Sequence, residues 1–154
     1  MRSSTALRRP DDDGIILIEC RVLRVFDKHR QRCSTAPESG GILLGFRRQN
    51  HLHITDATVP NERDEQMRHF FSRSAHFHQS VARAKWQSSG GTIDYLGEWH
   101  THPELAPTPS AIDKRGWMEI SHFRKAPMVF VIVGERNGLW VGLGDSACIY
   151  RVFD

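Results

Sequence analysis

A single mixed α/β domain with a strand-rich core is predicted by three stretches of this chain. Met128-Val-Phe-Val-Ile-Val-Gly134 is a near-continuous apolar run, as expected of a strand buried on both faces. His51-Leu-His-Ile-Thr-Asp-Ala-Thr-Val59 alternates with a period of two, the mark of a half-buried strand. Val22, Val25, Phe26 and His29 recur at helical spacing, which places one amphipathic helix between the first strands.

Taken in order, residues 1–13 are polar, end in Asp11-Asp12-Asp13, and read as a flexible N-terminal arm, leaving 14–154 as the domain. Gly14-Ile-Ile-Leu-Ile18 starts a strand, the first helix runs to about Arg32, and Pro37 ends the connection that follows. Gly41-Ile-Leu-Leu-Gly-Phe46 is a short apolar strand joined to the His51 strand by a hairpin across Arg47 to Asn50. Pro60 to about Arg68 is charged and aperiodic, so an exposed loop is expected there. Ser74 is placed to cap a helix from Ala75 to about Ser88, which Gly90-Gly91 terminates. Tyr95 to His102 reads as a strand broken by Pro107-Thr-Pro-Ser110, and a helix from Ser110 to about His122 comes next. After the Met128 strand, Leu139 to Leu143 and Ala147 to Phe153 close the sheet. The chain contains no internal repeat and no low-complexity segment.

With 154 residues the chain is long enough for one well-packed domain and too short for two of ordinary size. No apolar run approaches the ~20 residues of a bilayer-spanning helix, and Met1-Arg-Ser-Ser-Thr-Ala-Leu-Arg-Arg-Pro10 lacks the apolar core of a signal peptide. A soluble cytoplasmic protein with no membrane partner is the expectation. Cys20, Cys33 and Cys148 are odd in number and widely spaced, which argues against a disulfide framework or a cysteine-based zinc knuckle. Net charge is +3, and Arg21, Arg24, Lys28, Arg30 and Arg32 gather on one predicted helix. A solvated helix face accounts for that cluster better than a nucleic-acid interface.

The stretch that carries chemistry is Glu98-Trp-His-Thr-His-Pro103, followed by Ser110 and Asp113. On an extended strand His100 and His102 face the same side while Thr101 faces away. Two neutral imidazoles and one carboxylate make a catalytic zinc shell whose fourth position stays open for water, the expected nucleophile. Spacing alone is weak evidence, because His-x-His occurs three times. His51 and His53 have no carboxylate returned to them by a turn, and read as a solvated strand face. His76 and His78 fall on a helix, where residues two apart point about 200° apart. Asp113 has a competing structural role, since Ser110-Ala-Ile-Asp113 is also a capping box. The general base stays open at this level: Glu98 shares the histidines' strand face, Glu38 precedes a glycine-rich strand, and Glu104 and Glu119 have no geometric claim.

Glu38, His100-Thr-His102-Pro103, Ser110 and Asp113 together resemble the JAMM signature of the MPN-plus or JAB-domain zinc metalloproteases, Glu…His-Ser/Thr-His-x7-Ser-x2-Asp, with no departure in spacing. The Glu-x-Gly-Gly-x-Leu-x-Gly setting of Glu38 to Gly45 is similar too. The resemblance implies a curved mixed β-sheet flanked by helices, zinc (Zn2+) on His100, His102 and Asp113, Glu38 as the base acting on water, and Ser110 as donor to the oxyanion. Glu98 then becomes a flanking residue. Gly-Gly-Ile-Leu-Leu-Gly45, Phe70-Phe-Ser-Arg73, Tyr95 to Pro103 and Pro109-Ser110 resemble the short bacterial JAB proteins encoded beside ubiquitin-like conjugation genes and in CBASS anti-phage operons. That implies a deubiquitinase-like isopeptidase acting on the C-terminal tail of a ubiquitin-like protein or a cGAS-like nucleotidyltransferase and its conjugates. Processing of a sulfur-carrier protein and a non-catalytic MPN scaffold are the alternatives. Trp99, Trp117, Phe70 and Phe71 are available to line a groove for such a tail, although aromatics in a domain of this size more often sit in the core.

Overall fold

The computed structural model describes residues 3–67, 70–72 and 75–154. Its main sheet has eight strands in the order β1-β2-β4-β3-β7-β8-β9-β10. In chain order the elements are β1 (Thr5–Arg8), β2 (Ile15–Ile18), α1 (Cys20–His29), β3 (Gly40–Arg48), β4 (His51–Ala57), β5 (Glu65–Met67), β6 (Phe70–Ser72), α2 (Ala75–Ser88), β7 (Asp94–Thr101), α3 (Ala111–Arg124), β8 (Met128–Val133), β9 (Leu139–Gly144) and β10 (Ile149–Val152). The sheet is mixed, with parallel pairs at β2/β4 and β7/β8 and antiparallel pairs elsewhere. This is the α+β architecture that the sequence predicts.

The apolar run at β8 is central and buried along its whole length, because helices cover both faces of the sheet. On one face Val129, Val131 and Val133 join Ile16, Ile18, Leu43, Ile54 and Trp99 against Val22, Leu23 and Phe26 of α1. On the other, Met128, Phe130 and Ile132 pack with Trp140 beneath Trp117 of α3. A bulge in β7 keeps both faces consistent. Leu43 pairs with Gly97 and Leu44 with Tyr95, so Leu96 is an extra residue. Gly97 adopts φ +154, and a Cβ there would stand 1.7 Å from the Val129 carbonyl oxygen.

Three expectations change on folding. The flexible arm over residues 1–13 is instead, from Thr5 to Arg8, an edge strand paired antiparallel with β2, so the sheet begins well before residue 14. Its polar composition concealed the anchors: Leu7 is buried, and the acidic triplet is bound rather than free. Arg9 donates to Asp11 at 2.6 Å and to the Asn50 carbonyl at 2.6 Å, while the Asp12 carboxylate accepts from Gly14 N–H at 2.6 Å. The loop expected from Pro60 to Arg68 contains β5, which pairs with β6 as a separate two-stranded sheet. Finally, α1 stops at His29 rather than near Arg32. Arg30 turns inward there, donating to the carbonyls of Gly134 and Gly138 and to Asp27. The predicted basic cluster is thereby divided, and Arg21 is paired with Glu19.

The Ser74 cap lies outside the described residues, as do the side chains of Phe70 and Phe71. No helix among the described residues is long and apolar enough to cross a membrane.

Candidate metal centre

β7 delivers His100 to the end of the sheet, and Pro103 follows as the chain leaves it. Alternation holds as the sequence requires: Glu98 and His100 are half-buried on the α3 face, while Trp99 and Thr101 are buried on the α1 face. His102 N–H donates to the Val133 carbonyl at 3.0 Å, which ties it to the end of β8. The chain then returns through the proline-rich turn to Ser110, the N-cap of α3.

Ser110 and Asp113 form the full capping box. The Ser110 hydroxyl accepts from Asp113 N–H at 3.1 Å, and the Asp113 carboxylate accepts from Ser110 N–H at 2.7 Å. The same carboxylate also faces the histidines, at 3.3 Å from Oδ1 to His100 Nε2 and 3.4 Å from Oδ2 to His102 Nε2. The two Nε2 atoms are 3.1 Å apart. A tetrahedral zinc ion with bonds of 2.0–2.2 Å spaces its ligand atoms roughly 3.3–3.6 Å apart. The three side chains therefore fit one such ion, and capping and ligation do not compete. Among the described residues these three are the one such group of histidine, cysteine and acidic side chains close enough to share an ion.

Glu38 reaches this cluster through strand register. Gly40 pairs with His100 across the antiparallel β3/β7 ladder, so continuing the pairing outward carries Glu38 alongside His102. The continuation is hydrogen-bonded. Thr101 N–H donates to the Ser39 carbonyl at 2.8 Å, and the Thr101 hydroxyl accepts from Ser39 N–H at 2.9 Å while donating to Gln31 Oε1 at 3.0 Å. On its outer side Glu38 N–H donates to the Met67 carbonyl at 2.5 Å, and Gln66 Nε2 donates to the Glu38 carbonyl at 3.0 Å. Glu38 is thus 6% exposed and held on both sides.

The electrostatics follow from this packing. Burial pushes the Glu38 carboxyl up to about 7; His102 opposes the rise, and the charges of Asp113 and Glu104 add to it. Burial also disfavours ionised Asp113, but hydrogen bonds from His100 and His102 outweigh it and hold the carboxyl well below the usual range. For His102, burial disfavours the cation, yet Asp113, Glu38 and Glu104 together raise its pKa. Glu104, given no geometric claim by the sequence, therefore contributes to the site's field.

The remaining predicted residues fall elsewhere. Trp99 is 1% exposed beneath Phe26, with its indole N–H donating to the Thr58 carbonyl, so it belongs to the core rather than to a groove. Trp117 is also buried, stacked on Phe130 and Trp140 with its ring 5.9 Å from that of His100, and forms the floor under the centre. His53 is hydrogen-bonded to Glu19 at 2.8 Å, and His51 accepts from Ile15 N–H. Thr101, Gln31 and Gln66 also support the site without any signal in the sequence. All three act across strand or loop pairings that no local motif announces.

Comparison with known proteins shows which family the chain resembles over most of its length. Residues 21–141 match the family described as prokaryotic homologs of the JAB domain. A protein of Pseudomonas aeruginosa (strain BWHPSA011 / Pa011) named CD-NTase/cGAS isopeptidase is 44% identical over 136 residues, which span 86% of this chain and 85% of the relative. One of the same name from Escherichia coli (strain TW11681) is 40% identical over 132 residues, 86% of this chain and 83% of the relative. The solution structure of protein DSY2949 from Desulfitobacterium hafniense superposes with a TM-score of 0.59 at 20% identity, covering 84% of this chain and 83% of that one, and so shares the fold. With its signature residues gathered at the end of β7 and its match running from α1 into β9, the chain belongs to the prokaryotic JAB-domain family.

Proposed function

We propose that this protein is a zinc-dependent isopeptidase that cleaves the amide bond joining the C-terminal residue of a CD-NTase, or of a ubiquitin-like protein, to its target. In bacterial anti-phage defence of the CBASS type it is a deconjugase that removes the modification. The observation that carries this reading is the convergence of His100 Nε2, His102 Nε2 and an Asp113 carboxylate oxygen within 4.8 Å of one another, with the charge of buried Glu38 acting on the same cluster. The names of the P. aeruginosa and E. coli relatives support the substrate class.

His100, His102 and Asp113 would hold the ion. A bound zinc ion supplies Lewis acidity, toward both water and the scissile carbonyl. Glu38 is the base: burial raises its carboxyl to about 7 in the metal-free protein, and a cation bound beside it would draw that value down, leaving a carboxylate ready to take a proton and give it back. It accepts the proton of the attacking water at a carboxylate oxygen and returns it to the departing lysine amine, since an unprotonated amine leaves poorly. Ser110 spends one lone pair on Asp113 N–H, so its O–H proton stays available to the oxyanion. Glu98 takes no part in proton transfer.

The test is incubation with a CD-NTase, a ubiquitin-like protein and a sulfur-carrier protein, each fused through its C-terminal residue to a reporter, with and without a zinc chelator. Chelator-sensitive release of the first or second is expected. Release of the sulfur-carrier fusion alone would move the protein to biosynthetic processing, and release of none would favour a scaffold.

A further inference from the structure

A second polar cluster, which shares no residue with the metal centre, joins α2 to the segment between β4 and β5. His78 is fully buried. Its Nδ1 is 2.6 Å from the Thr58 hydroxyl and its Nε2 is 3.0 Å from Asp64 Oδ2, so the ring bridges both ends of the segment 58–64. The Nε2–H tautomer satisfies both contacts, with Thr58 O–H donating to Nδ1 and Nε2–H donating to the carboxylate. Buried polar groups paired in this way have few alternative arrangements, because a bond broken inside the protein is not replaced by one to water.

From that ring two hydrogen-bonded routes lead to the centre. Thr58 N–H donates to the Ile42 carbonyl of β3 at 3.0 Å, its hydroxyl accepts from Ile42 N–H at 2.8 Å, and its carbonyl accepts from the indole of Trp99, the residue before His100. Asp64 accepts from Asn61 N–H at 2.9 Å, which closes the turn immediately before β5. β5 then supplies Gln66 and Met67, which bond Glu38 on its outer side. The strand that holds the base is itself anchored at its start by the Asp64–His78 bond.

We infer that His78 is a positioning residue for Glu38: acting through Asp64 and β5, it fixes the backbone that presents the base to the metal centre. This inference rests on the base role proposed above. A base misplaced by a fraction of an ångström loses much of its effect, and outer partners of a catalytic group commonly contribute about 10–100-fold in activity.

The experiment compares zinc-loaded wild type with His78→Gln and with Gln66→Leu, which cuts the same route at its exposed end. Hydrogen exchange of the Glu38 amide is followed by NMR alongside zinc content and steady-state kinetics. Both variants are expected to keep zinc, to lose about tenfold or more of Glu38 amide protection while Val131 is unchanged, and to lower kcat about 10–100-fold with KM nearly constant. If His78→Gln does not fold, Asp64→Asn, at the other end of the same bond, takes its place. Wild-type protection of the Glu38 amide in both variants overturns the inference, as does a loosened amide with unchanged kcat or an effect confined to KM. A wild-type chain that cleaves no tail sinks the function reading alone, since the amide exchange still decides the positioning.

Discussion

Glu38 is kept inside the protein at a cost. Its carboxyl titrates near 4.5 in the unfolded chain and at about 7 in the folded one, so between those values the native state holds more protons. Stability of the metal-free protein therefore falls as pH rises from 4.5 to 7 and levels off above. Glu38→Gln removes that penalty. In urea melts with chelator present, the variant is expected to be more stable than wild type by about 1–2 kcal/mol at pH 8, the full shift being discounted for partial solvent screening, and equal to it at pH 4. With metal restored it should lose activity by about 10²–10⁴-fold. A residue that helps the chemistry and harms the fold separates cleanly in these two measurements.

Ser110 combines two duties that substitution can divide. Ser110→Ala deletes both the cap and the hydroxyl, and should lower stability by about 1 kcal/mol and kcat by about 10²–10³-fold. Ser110→Gly should cost only a few tenths of a kcal/mol in stability while losing as much rate. Comparable rate losses with unequal unfolding midpoints would support the donor role, whereas a rate that tracks stability would reduce Ser110 to a cap.

At the scale of elements, β7 is the strand on which the centre depends. Thr101, between the two histidines, faces the opposite side and bonds Ser39 and Gln31, so one strand holds ligands on one face and the base's segment on the other. Thr101→Val removes the acceptor of the buried Ser39 N–H and is expected to cost about 1–3 kcal/mol in denaturant unfolding, with a fall in kcat that Thr101→Ser largely restores. Local signals made the outline of β7 and α3 legible, because His-x-His, the proline turn and the Ser110-x-x-Asp113 box are all short-range patterns. The partner of β7 was not legible that way. On residue type Glu38 and Glu98 are equal contenders, and the family resemblance alone favours Glu38; what sets it beside His102 is the β3/β7 register, a pairing between segments some sixty positions apart. The same limit explains β1 and β5, short polar strands that exist because of what they pair with.

Across the whole molecule, the sheet order places the two parallel pairs on either side of the β4/β3 hairpin and puts the centre at the exit of β7, under the start of α3. Helices on both faces make the core independent of the ion. Removing metal should abolish hydrolysis while leaving far-UV circular dichroism and the unfolding transition cooperative, unlike a small domain that folds only around its zinc. The apolar pattern of β8 and α1 foretold this core directly, since burial on both faces and on one stripe are written in periodicity.

Zinc content after exhaustive dialysis, measured by atomic absorption on wild type, Glu38→Gln and His102→Ala side by side, tests the centre most directly. One zinc ion per chain in the first two and almost none in the third is the predicted result. A wild type without zinc, or a His102→Ala variant that keeps it, would contradict a metal held by His100, His102 and Asp113 with Glu38 standing apart as the base.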